Sequence, residues 1–183
     1  MRVISGDLKG RRLINPEGTM VRPTGSRVKE SLFSIIGDGI VDSTFVDCFS
    51  GTGNIGIEAI SRGAARAFFV ERNPRVVEIL KKNIKNLGLG DRASVMMLDA
   101  LKGVKALGKL GVSADIFFLD PPYAYNRTVE MIFSLIEHGV IAPGGALIWQ
   151  HSTKTLPHPT YGDLKSDQTR VYGDTAVTFF TRA

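Results

Sequence analysis

The sequence has little of several features that would point to particular classes of protein. It contains a single cysteine, Cys48, which excludes an internal disulfide and is typical of a reducing compartment. No uncharged apolar run approaches the roughly 18 residues that a transmembrane helix needs, and the polar start lacks the apolar middle of a signal peptide. Its three histidines show no zinc-ligand spacing, and neither Gly-x-Ser-x-Gly nor a P-loop lysine is present. These absences predict a soluble cytoplasmic protein with no membrane partner and no metal site.

What the sequence does have is an excess of positive charge near its start. The 183 residues carry 23 Lys and Arg against 18 Asp and Glu, a formal net charge of +5. Residues 1–36 hold seven of the basic and three of the acidic side chains, so most of the excess lies there. A basic patch is the electrostatic footprint of a phosphate-rich partner, although a solvated basic terminus would look the same. The charge pattern therefore raises nucleic acid as a partner without deciding it.

From residue 44 onward, short apolar runs of strand length alternate with segments whose apolar residues recur at helical spacing. Strands are predicted at 44–49, 66–70, 94–98, 116–119 and 146–149, and helices at 55–61, 75–87, 101–107 and 128–137. This alternation predicts an α/β fold with βαβ units and a mostly parallel sheet with helices on both faces. Two further strand-like runs, 163–172 and 175–181, flank Gly173-Asp174 and predict an antiparallel C-terminal hairpin.

The first 40 residues have a different pattern. Apolar runs at 2–5 and 12–15 predict a β-hairpin, 16–24 is rich in turn residues, and 26–36 has helical spacing that ends at Gly37. We therefore predict a basic N-terminal extension, residues 1–40, packed on one globular domain of residues 41–183. Chain length favours a single domain of this kind.

Residues 46–56 form a glycine-rich loop between the first strand and the first helix of the alternating series. Glycines at 51, 53 and 56 satisfy the pattern G-x-G-x-x-G, and Glu71 ends the next predicted strand 20 positions after Gly51. Glycine suits a tight turn that a ligand must approach, and a carboxylate at that distance can accept hydrogen bonds from ribose hydroxyls. Sites for NAD and for S-adenosylmethionine share both features, so the loop predicts an adenosine-type cofactor without distinguishing the two.

Two further carboxylates favour S-adenosylmethionine over NAD. Asp47, at the end of the strand before the loop, could accept from the positively charged amino group of that cofactor. Asp99 ends the third strand, a position suited to reading the adenine amino group, although it could equally cap the helix that starts at Ala100. Five parallel strands followed by a hairpin are also the strand inventory of the Rossmann-like, seven-stranded sheet of S-adenosylmethionine-dependent methyltransferases.

The tetrapeptide Asp120-Pro121-Pro122-Tyr123 directly follows the apolar strand 115–119, at the strand end where ligands of open α/β sheets bind. The Asp120 carboxylate and the Pro121 carbonyl can each accept one N–H of a planar amino group, which draws its lone pair toward a methyl donor. The prolines hold φ near about −65°, and Tyr123 can stack on a planar base. The tetrapeptide predicts methylation of an exocyclic nitrogen by positioning and electrostatics, without a covalent intermediate.

With these motifs, the chain resembles the bacterial family that methylates the N2 amino group of a guanine in 16S ribosomal RNA. The resemblance covers nearly the whole chain and is most specific near the N-terminus. Its matching segments are Arg2–Gly6, Lys9–Leu13, Arg22–Thr24, Arg27–Phe33, Gly56–Ala64, Phe69–Glu71, Asp99–Ala100, Asp120–Tyr123 and Tyr172–Thr175. The chain departs from the family where Cys48 and Ser50 replace the commoner Leu and Ala, where Tyr123 replaces Phe, and where Gln150 replaces Glu.

The resemblance implies a role for each matched site residue. It implies that S-adenosyl-L-methionine is held by Asp47, Phe49, Gly51, Thr52, Gly53, Glu71, Arg72, Asp99 and Ala100. It implies that a flipped guanine is held by the catalytic residues Asp120, Pro121, Pro122 and Tyr123. It implies that RNA is contacted by Arg2, Lys9, Arg11, Arg12, Arg22, Thr24 and Arg27. The expected partner is ribosomal RNA within an assembling small subunit, and the expected state is a monomer.

Three other functions stay open at this level. An adenine-N6 DNA methyltransferase would use the same tetrapeptide, although 183 residues leave no room for a target-recognition domain. A non-enzymatic RNA-binding assembly factor could share the fold, although the intact Asp120, Glu71 and glycine loop argue against it. An NAD-dependent enzyme would bind nicotinamide, which a titration of both cofactors distinguishes.

Overall fold

A computed structural model describes residues 1–16 and 25–183 of the chain. The chain divides into two compact units, Met1–Leu98 and Asp99–Ala183. In the described part of both units, no helix is long and apolar enough to cross a membrane. The boundary at residue 40 between an extension and a domain stays a prediction.

The first unit alternates helices with parallel strands. Its elements are α1 (Ser26–Ile36), a 3₁₀ turn (Gly37–Ile40), β1 (Thr44–Cys48), α2 (Asn54–Ser61), β2 (Arg66–Glu71), α3 (Pro74–Asn86) and β3 (Ala93–Met97). The strands are hydrogen-bonded in the order β3-β2-β1, and both pairs are parallel. Parallel neighbours require crossover connections, which α2 and α3 provide.

Local sequence signals explain where these helices begin and end. The side chain of Asn73 accepts from the backbone N–H of Arg75 at 3.0 Å, which caps α3, and Pro74 occupies its first turn. The helix α1 ends at Ile36 because Gly37 has φ of +55°, a conformation that glycine adopts without steric cost. The helices predicted at 26–36 and 75–87 are therefore confirmed as α1 and α3, with boundaries within one residue.

Residues 1–16, which we call the N-terminal segment, form a short antiparallel pairing. Arg2 and Arg12 make one β-bridge, and the backbone N–H of Val3 donates to the Arg11 carbonyl at 3.0 Å. The predicted hairpin is therefore present as a short pairing rather than as two extended strands. Val3 and Leu13 are its buried residues.

The N-terminal segment is docked on α2 through polar groups of two side chains. The buried carboxylate of Glu58 accepts from the backbone N–H groups of Ile4 and Ser5, both at 2.9 Å. The hydroxyl of Ser61 donates to the Ser5 carbonyl at 2.6 Å and accepts from the N–H of Leu8 at 3.0 Å. The loop end of the hairpin is thereby held against α2, because backbone N–H and C=O groups of the loop form hydrogen bonds with side chains of that helix.

The second unit begins with a βα pattern and ends in antiparallel strands. Its elements are α4 (Ala100–Lys109), β4 (Ala114–Leu119), α5 (Thr128–Glu137), β5 (Ile141–Ser152), β6 (Thr160–Tyr161), β7 (Leu164–Tyr172) and β8 (Thr175–Arg182). The strands follow the order β4-β5-β8-β7-β6, with β4 and β5 parallel and the remaining pairs antiparallel.

The predicted fold class, α/β with parallel strands and an antiparallel C-terminal hairpin, is confirmed. Two details differ from the sequence prediction. The strand β5 starts at Ile141 rather than at residue 146. Ile141 pairs with Ala114, and a register shift separates this pair from the rest of the β4–β5 pairing. In the sequence, Gly144 and Gly145 resemble a turn, so the sequence does not predict the early start of the strand. The short β6 raises the number of strands above the predicted seven, and its two residues are too few to show a period.

We predict that Gly6→Ala destabilises the protein more than Gly10→Ala does. Both glycines have positive φ, +78° and +83°. A Cβ on Gly6 would stand 1.7 Å from the carbonyl oxygen of Ser61, whereas a Cβ on Gly10 would have no atom within 4 Å. Both substitutions therefore strain the backbone, and only Gly6→Ala adds a steric clash. That clash should lower the free energy of unfolding by about 1–3 kcal/mol more in Gly6→Ala than in Gly10→Ala. Urea unfolding of both variants measures the difference, and equal losses would contradict the docking described above.

Candidate functional site

The glycine loop between β1 and α2 turns back sharply through left-handed backbone. Phe49, Gly51 and Gly53 all have positive φ, of 63°, 54° and 87°. The turn is held by a hydrogen bond from Gly53 N–H to the Ser50 carbonyl at 2.8 Å. A left-handed conformation is costly for a side chain as bulky as phenylalanine, and such strained residues cluster at ligand sites. Phe49 is half-buried and stays a predicted cofactor residue.

The glycines of the loop are required for packing as well as for the turn. A Cβ on Gly53 would stand 2.5 Å from Leu80 Cδ1 on α3, and one on Gly56 would stand 2.4 Å from the Phe69 ring on β2. The first and last positions of the motif thus serve different purposes, because Gly51 shapes the turn while Gly56 lets α2 approach the strands.

Two carboxylates predicted for the cofactor lie against the loop in the same unit. Glu71 Oε2 accepts from the N–H of Gly51 at 3.1 Å, and Oε1 accepts from the N–H of Asn73 at 2.8 Å. Asp47, 2% exposed, accepts from the N–H of Gly56 at 2.8 Å. Each carboxylate thereby braces the loop, and half-exposed Glu71 keeps one side toward solvent. Arg72, the next residue, is exposed.

Sequence reasoning gave no role to Ser50, which the structure buries inside the loop. Its hydroxyl is buried and has no hydrogen-bond partner among the described residues. A buried hydroxyl without a partner is costly in a native protein and calls for an explanation, of which a polar ligand is one. Thr52, also buried, directs its hydroxyl to Asn15 Oδ1 at 3.4 Å.

Asp99 and Ala100 open the second unit. Asp99 Oδ1 accepts from the N–H of Leu101 at 3.1 Å, so this residue caps α4, as the sequence allowed. Ala100 is buried at the first position of that helix. A cofactor contact by either residue stays a prediction.

The tetrapeptide follows the end of β4, and its last three residues, Pro121, Pro122 and Tyr123, line a cavity of about 200 Å³ in the second unit. Asp120 is half-buried directly before them and is not among the residues that line this cavity. Pro121 is buried, while Tyr123 is 62% exposed and forms part of the wall. The segment turns back at once, since the N–H of Tyr125 donates to the Pro122 carbonyl at 2.8 Å. Tyr123 thus places at the mouth of the cavity a phenol ring, a group whose face can stack on a planar ligand.

Two residues of β5 that sequence reasoning missed form another wall of this cavity. Trp149 and His151 both line it and are 4% and 5% exposed, with ring centroids 5.1 Å apart. The two residues are two positions apart along β5, and side chains at that spacing lie on the same face of a strand. That spacing was the only signal available in the sequence.

Hydrogen bonds determine which ring nitrogen of His151 carries the proton. Its Nδ1 lies 2.8 Å from the carbonyl of Ser152, which can only accept, so Nδ1 donates. Nε2 then accepts from the Thr178 hydroxyl at 2.8 Å, and Thr178 accepts in turn from Thr169 at 2.9 Å. Burial lowers the pKa of His151 below its ordinary value of 6.5. This wall of the cavity is therefore neutral at physiological pH.

The basic residues predicted for RNA are exposed where they are described. This set is Arg2, Lys9, Arg11, Arg12 and Arg27. Arg22 and Thr24 lie outside the described residues. Arg11 also donates to the carbonyl of Asn86 at 3.3 Å, which holds it along α3.

Lys29, another basic residue near the start, is buried and belongs to the interior. Its Nζ donates to the Arg2 carbonyl at 2.9 Å, to Asn54 Oδ1 at 2.8 Å and to Glu58 Oε2 at 2.9 Å, which uses all three of its protons. Burial lowers the pKa of Lys29, and its hydrogen bond to Glu58 opposes that shift. One positive charge of the basic N-terminus is therefore internal and cannot meet a phosphate.

The cysteine and the possible metal ligands add no further site in the part of the chain that the structure describes. Cys48 is a buried residue of β1 that forms no disulfide, as expected for a packed position. Across residues 1–16 and 25–183, no three His, Cys, Asp or Glu side chains are grouped so that they could hold a metal ion.

Comparison with protein families gives one match that spans nearly the whole chain. A family model described as "Conserved hypothetical protein 95" matches residues 1–181.

Known relatives and solved structures are similar over the same length. "Putative rRNA methyltransferase YlbH" of Bacillus subtilis (strain 168) is 35% identical over 182 residues, covering 100% of this chain and 99% of the relative. "Ribosomal RNA small subunit methyltransferase D" of Escherichia coli (strain K12) is 34% identical over 183 residues, covering 100% and 90%. The structure of "Putative methyltransferase yhhF" from Escherichia coli superposes with a TM-score of 0.89 at 32% identity, covering 100% of this chain and 97% of that one. The similarity in fold and in sequence therefore extends over the complete described chain.

We predict that His151 makes the protein less stable as the pH falls. Its folded-state pKa is lowered by burial, so protons bind the unfolded chain first, and its contribution is complete above 6.5 and lost as the pH falls below that value. His151→Gln should therefore flatten the dependence of unfolding free energy on pH between about 7 and 5.5.

The matched control is His158→Gln, which makes the same substitution at an exposed histidine of the same unit. Urea unfolding at a series of pH values measures both variants. Identical curves for His151→Gln and the unaltered protein would show that this ring does not titrate as described.

Proposed function

The chain belongs to the protein family described as Conserved hypothetical protein 95, and from that membership we propose that it methylates small-subunit ribosomal RNA with S-adenosyl-L-methionine as the donor. The acceptor in this proposal is the exocyclic N2 amine of a guanine. Two relatives that match the full chain carry rRNA methyltransferase names. The guanine is supported by the resemblance of the sequence motifs to a guanine-N2 methylating family. A cytoplasmic monomer is part of the same proposal.

The observation that carries the proposal is the cavity lined by Pro121, Pro122 and Tyr123, the last three residues of the tetrapeptide. Its walls combine a stacking ring, Tyr123, with a rigid backbone, Pro121 and Pro122, and with the neutral ring of His151. A neutral, largely apolar wall suits an uncharged base rather than a phosphate. The Asp120 carboxylate and the Pro121 carbonyl would supply the two acceptors that an amino group needs.

The residues of the glycine loop fit the proposed cofactor. Backbone at Gly51 and Gly53 is shaped so that a ligand can approach closely, and half-exposed Glu71 offers carboxylate oxygens for ribose hydroxyls. The unpartnered Ser50 hydroxyl is a further polar group for such a ligand. When bound, S-adenosyl-L-methionine supplies a methyl group on a positively charged sulfur. Asp47, Phe49, Thr52, Arg72, Asp99 and Ala100 stay predicted contacts.

In this proposal, the chain's own residues act by orienting the amine. Asp120 accepts one of its N–H bonds and Pro121 the other, which turns the nitrogen lone pair out of conjugation with the ring. Stacking on Tyr123 compensates for the unstacking of the base, which costs a few kcal/mol. The amine loses a proton after the transfer, and the Asp120 carboxylate, which already accepts one of its N–H bonds, takes that proton in this proposal.

We predict that Asp120→Ala lowers the rate of methyl transfer by roughly 10²–10³-fold, the usual cost of removing one preorganised polar contact to the reacting group. Binding of S-adenosyl-L-homocysteine, measured by calorimetry, should be unchanged. The matched control is Asp115→Ala, which removes an exposed carboxylate from β4 and should keep full activity.

The assay follows labelled methyl transfer into small subunits that lack the modification, with nucleoside analysis of the product. N2-methylguanosine is the expected product. Methylated adenine in DNA would replace the proposal by a DNA methyltransferase, and unchanged biological function of Asp120→Ala would replace it by a non-enzymatic assembly factor.

We also predict that partly assembled, protein-bearing subunits are methylated faster than deproteinised RNA. The exposed basic residues of the described N-terminal region are few, so they can neutralise few phosphates and supply little affinity for naked RNA. Initial rates on the two substrates at matched salt measure the preference. Faster methylation of the deproteinised RNA would contradict it.

A further inference from the structure

Asn83 is a buried polar residue on the apolar face of α3. It is 2% exposed and stands among Val76, Val77, Leu80 and Ile84, which are the other buried residues of that helix. A buried carboxamide is costly unless its donors and acceptor are paired. The partners of Asn83 are therefore informative about its purpose.

The side chain of Asn83 pairs with both backbone groups of one residue of the N-terminal segment. Its Oδ1 accepts from the N–H of Ile14 at 2.7 Å, and its Nδ2 donates to the Ile14 carbonyl at 3.0 Å. This pairing resembles the one that a neighbouring strand would make. It holds the end of the segment against α3 although Ile14 itself is 42% exposed.

The same amide also holds the glycine loop. The Nδ2 group of Asn83 donates its second proton to the Thr52 carbonyl at 3.1 Å. The orientation of the amide is unambiguous, because exchanging its oxygen and nitrogen would place an acceptor against two carbonyl groups. One buried side chain therefore binds the N-terminal segment and the loop at once.

Neighbouring contacts show that α3 supports the loop at two successive turns. Leu80 lies so close to Gly53 that a Cβ there would stand 2.5 Å away, and Asn83 follows one turn later. On the side of the segment, Asn15 Oδ1 accepts from the Thr52 hydroxyl at 3.4 Å. Thr52 is thus held through its carbonyl by the helix and through its hydroxyl by the segment.

We propose that Asn83 is a positioning residue for the cofactor loop, and that it makes the N-terminal segment part of the cofactor-binding apparatus. Asn83 acts through Thr52 and Ile14 rather than by touching a ligand. This inference rests on the proposed function, in which the loop holds S-adenosyl-L-methionine. Loss of the amide leaves the Thr52 carbonyl and the Ile14 backbone without their partner, and the loop loses the conformation that its ligand requires.

The test uses Asn83→Ala in the full chain, with S-adenosyl-L-homocysteine as the probe and calorimetry as the measurement. The dissociation constant should rise roughly tenfold, the size expected for one buried hydrogen-bonding group left unpaired. In turnover, the KM for S-adenosyl-L-methionine should rise while kcat at saturating donor is retained. The matched control, Asn86→Ala, changes an exposed asparagine of the same helix and should leave both constants unaltered.

A second readout does not depend on activity. Hydrogen exchange of the ligand-free protein should become faster at the Thr52 and Gly53 amides and at Ile14 and Asn15 together. Faster exchange confined to the segment, with the loop unchanged, would overturn the proposal.

A second variant reaches the same contact from the segment. Ile14→Pro removes the N–H that donates to Asn83 Oδ1 and leaves every residue of α3 and of the loop unchanged in sequence. It should also weaken binding of S-adenosyl-L-homocysteine, and it decides the question if Asn83→Ala does not fold. Unchanged affinity in Ile14→Pro would overturn the proposal, whereas failure of the unaltered chain to bind the probe would overturn the proposed function instead.

Discussion

The buried carboxylate of Glu58 is the interaction on which the first unit depends. It is fully buried, and each of its oxygens takes one backbone N–H of the N-terminal segment and one cationic side chain, Lys29 or Arg62, all at 2.9 Å. A buried charge is tolerated only when it is paired and hydrogen-bonded throughout, as it is here. Because Lys29 also bonds to Asn54, the first residue of α2, the same cluster joins the segment, α1 and the helix that follows the glycine loop.

In both units, charged side chains lie mostly at the surface, and the buried Lys29 and His151 are paired and neutral, respectively. The N-terminal segment displays arginine and lysine side chains to solvent, while the buried Lys29 of α1 has its charge balanced by Glu58. In the second unit, the cavity beside the tetrapeptide is walled by a histidine whose pKa is lowered by burial and which therefore stays neutral. Positive charge is thus available for phosphates at the surface, and the proposed base pocket is free of it.

Much of the fold was predictable from the sequence because its signals are local. The helix α1 was predicted with its observed bounds, since apolar spacing and a terminal glycine both act within a few residues. The start of β5 was not, because Gly144 and Gly145 resemble a turn and only the pairing of Ile141 with Ala114 makes that stretch a strand. The sequence offered two roles for Asp99, and its bond to Leu101 shows the role of helix cap, while the cofactor contact stays a prediction. The positions of the glycine loop and of the tetrapeptide after their strands followed directly from the order of motifs.

The sequence by itself determined which residues can do chemistry: glycines where the backbone must turn, carboxylates at strand ends, and two prolines that stiffen the tetrapeptide. These properties belong to single residues and their immediate neighbours, so they can be read without a structure. Only the tertiary structure determined the hydrogen-bond partners of Glu58, Asn83 and His151. Their hydrogen bonds join residues that are 54, 69 and 27 positions apart in the sequence, respectively. Pairing at such distances depends on how helices and strands pack, and no local pattern records it. The same packing placed Lys29 in the interior beside Asn54 and set Asn15 of the N-terminal segment against Thr52 of the glycine loop.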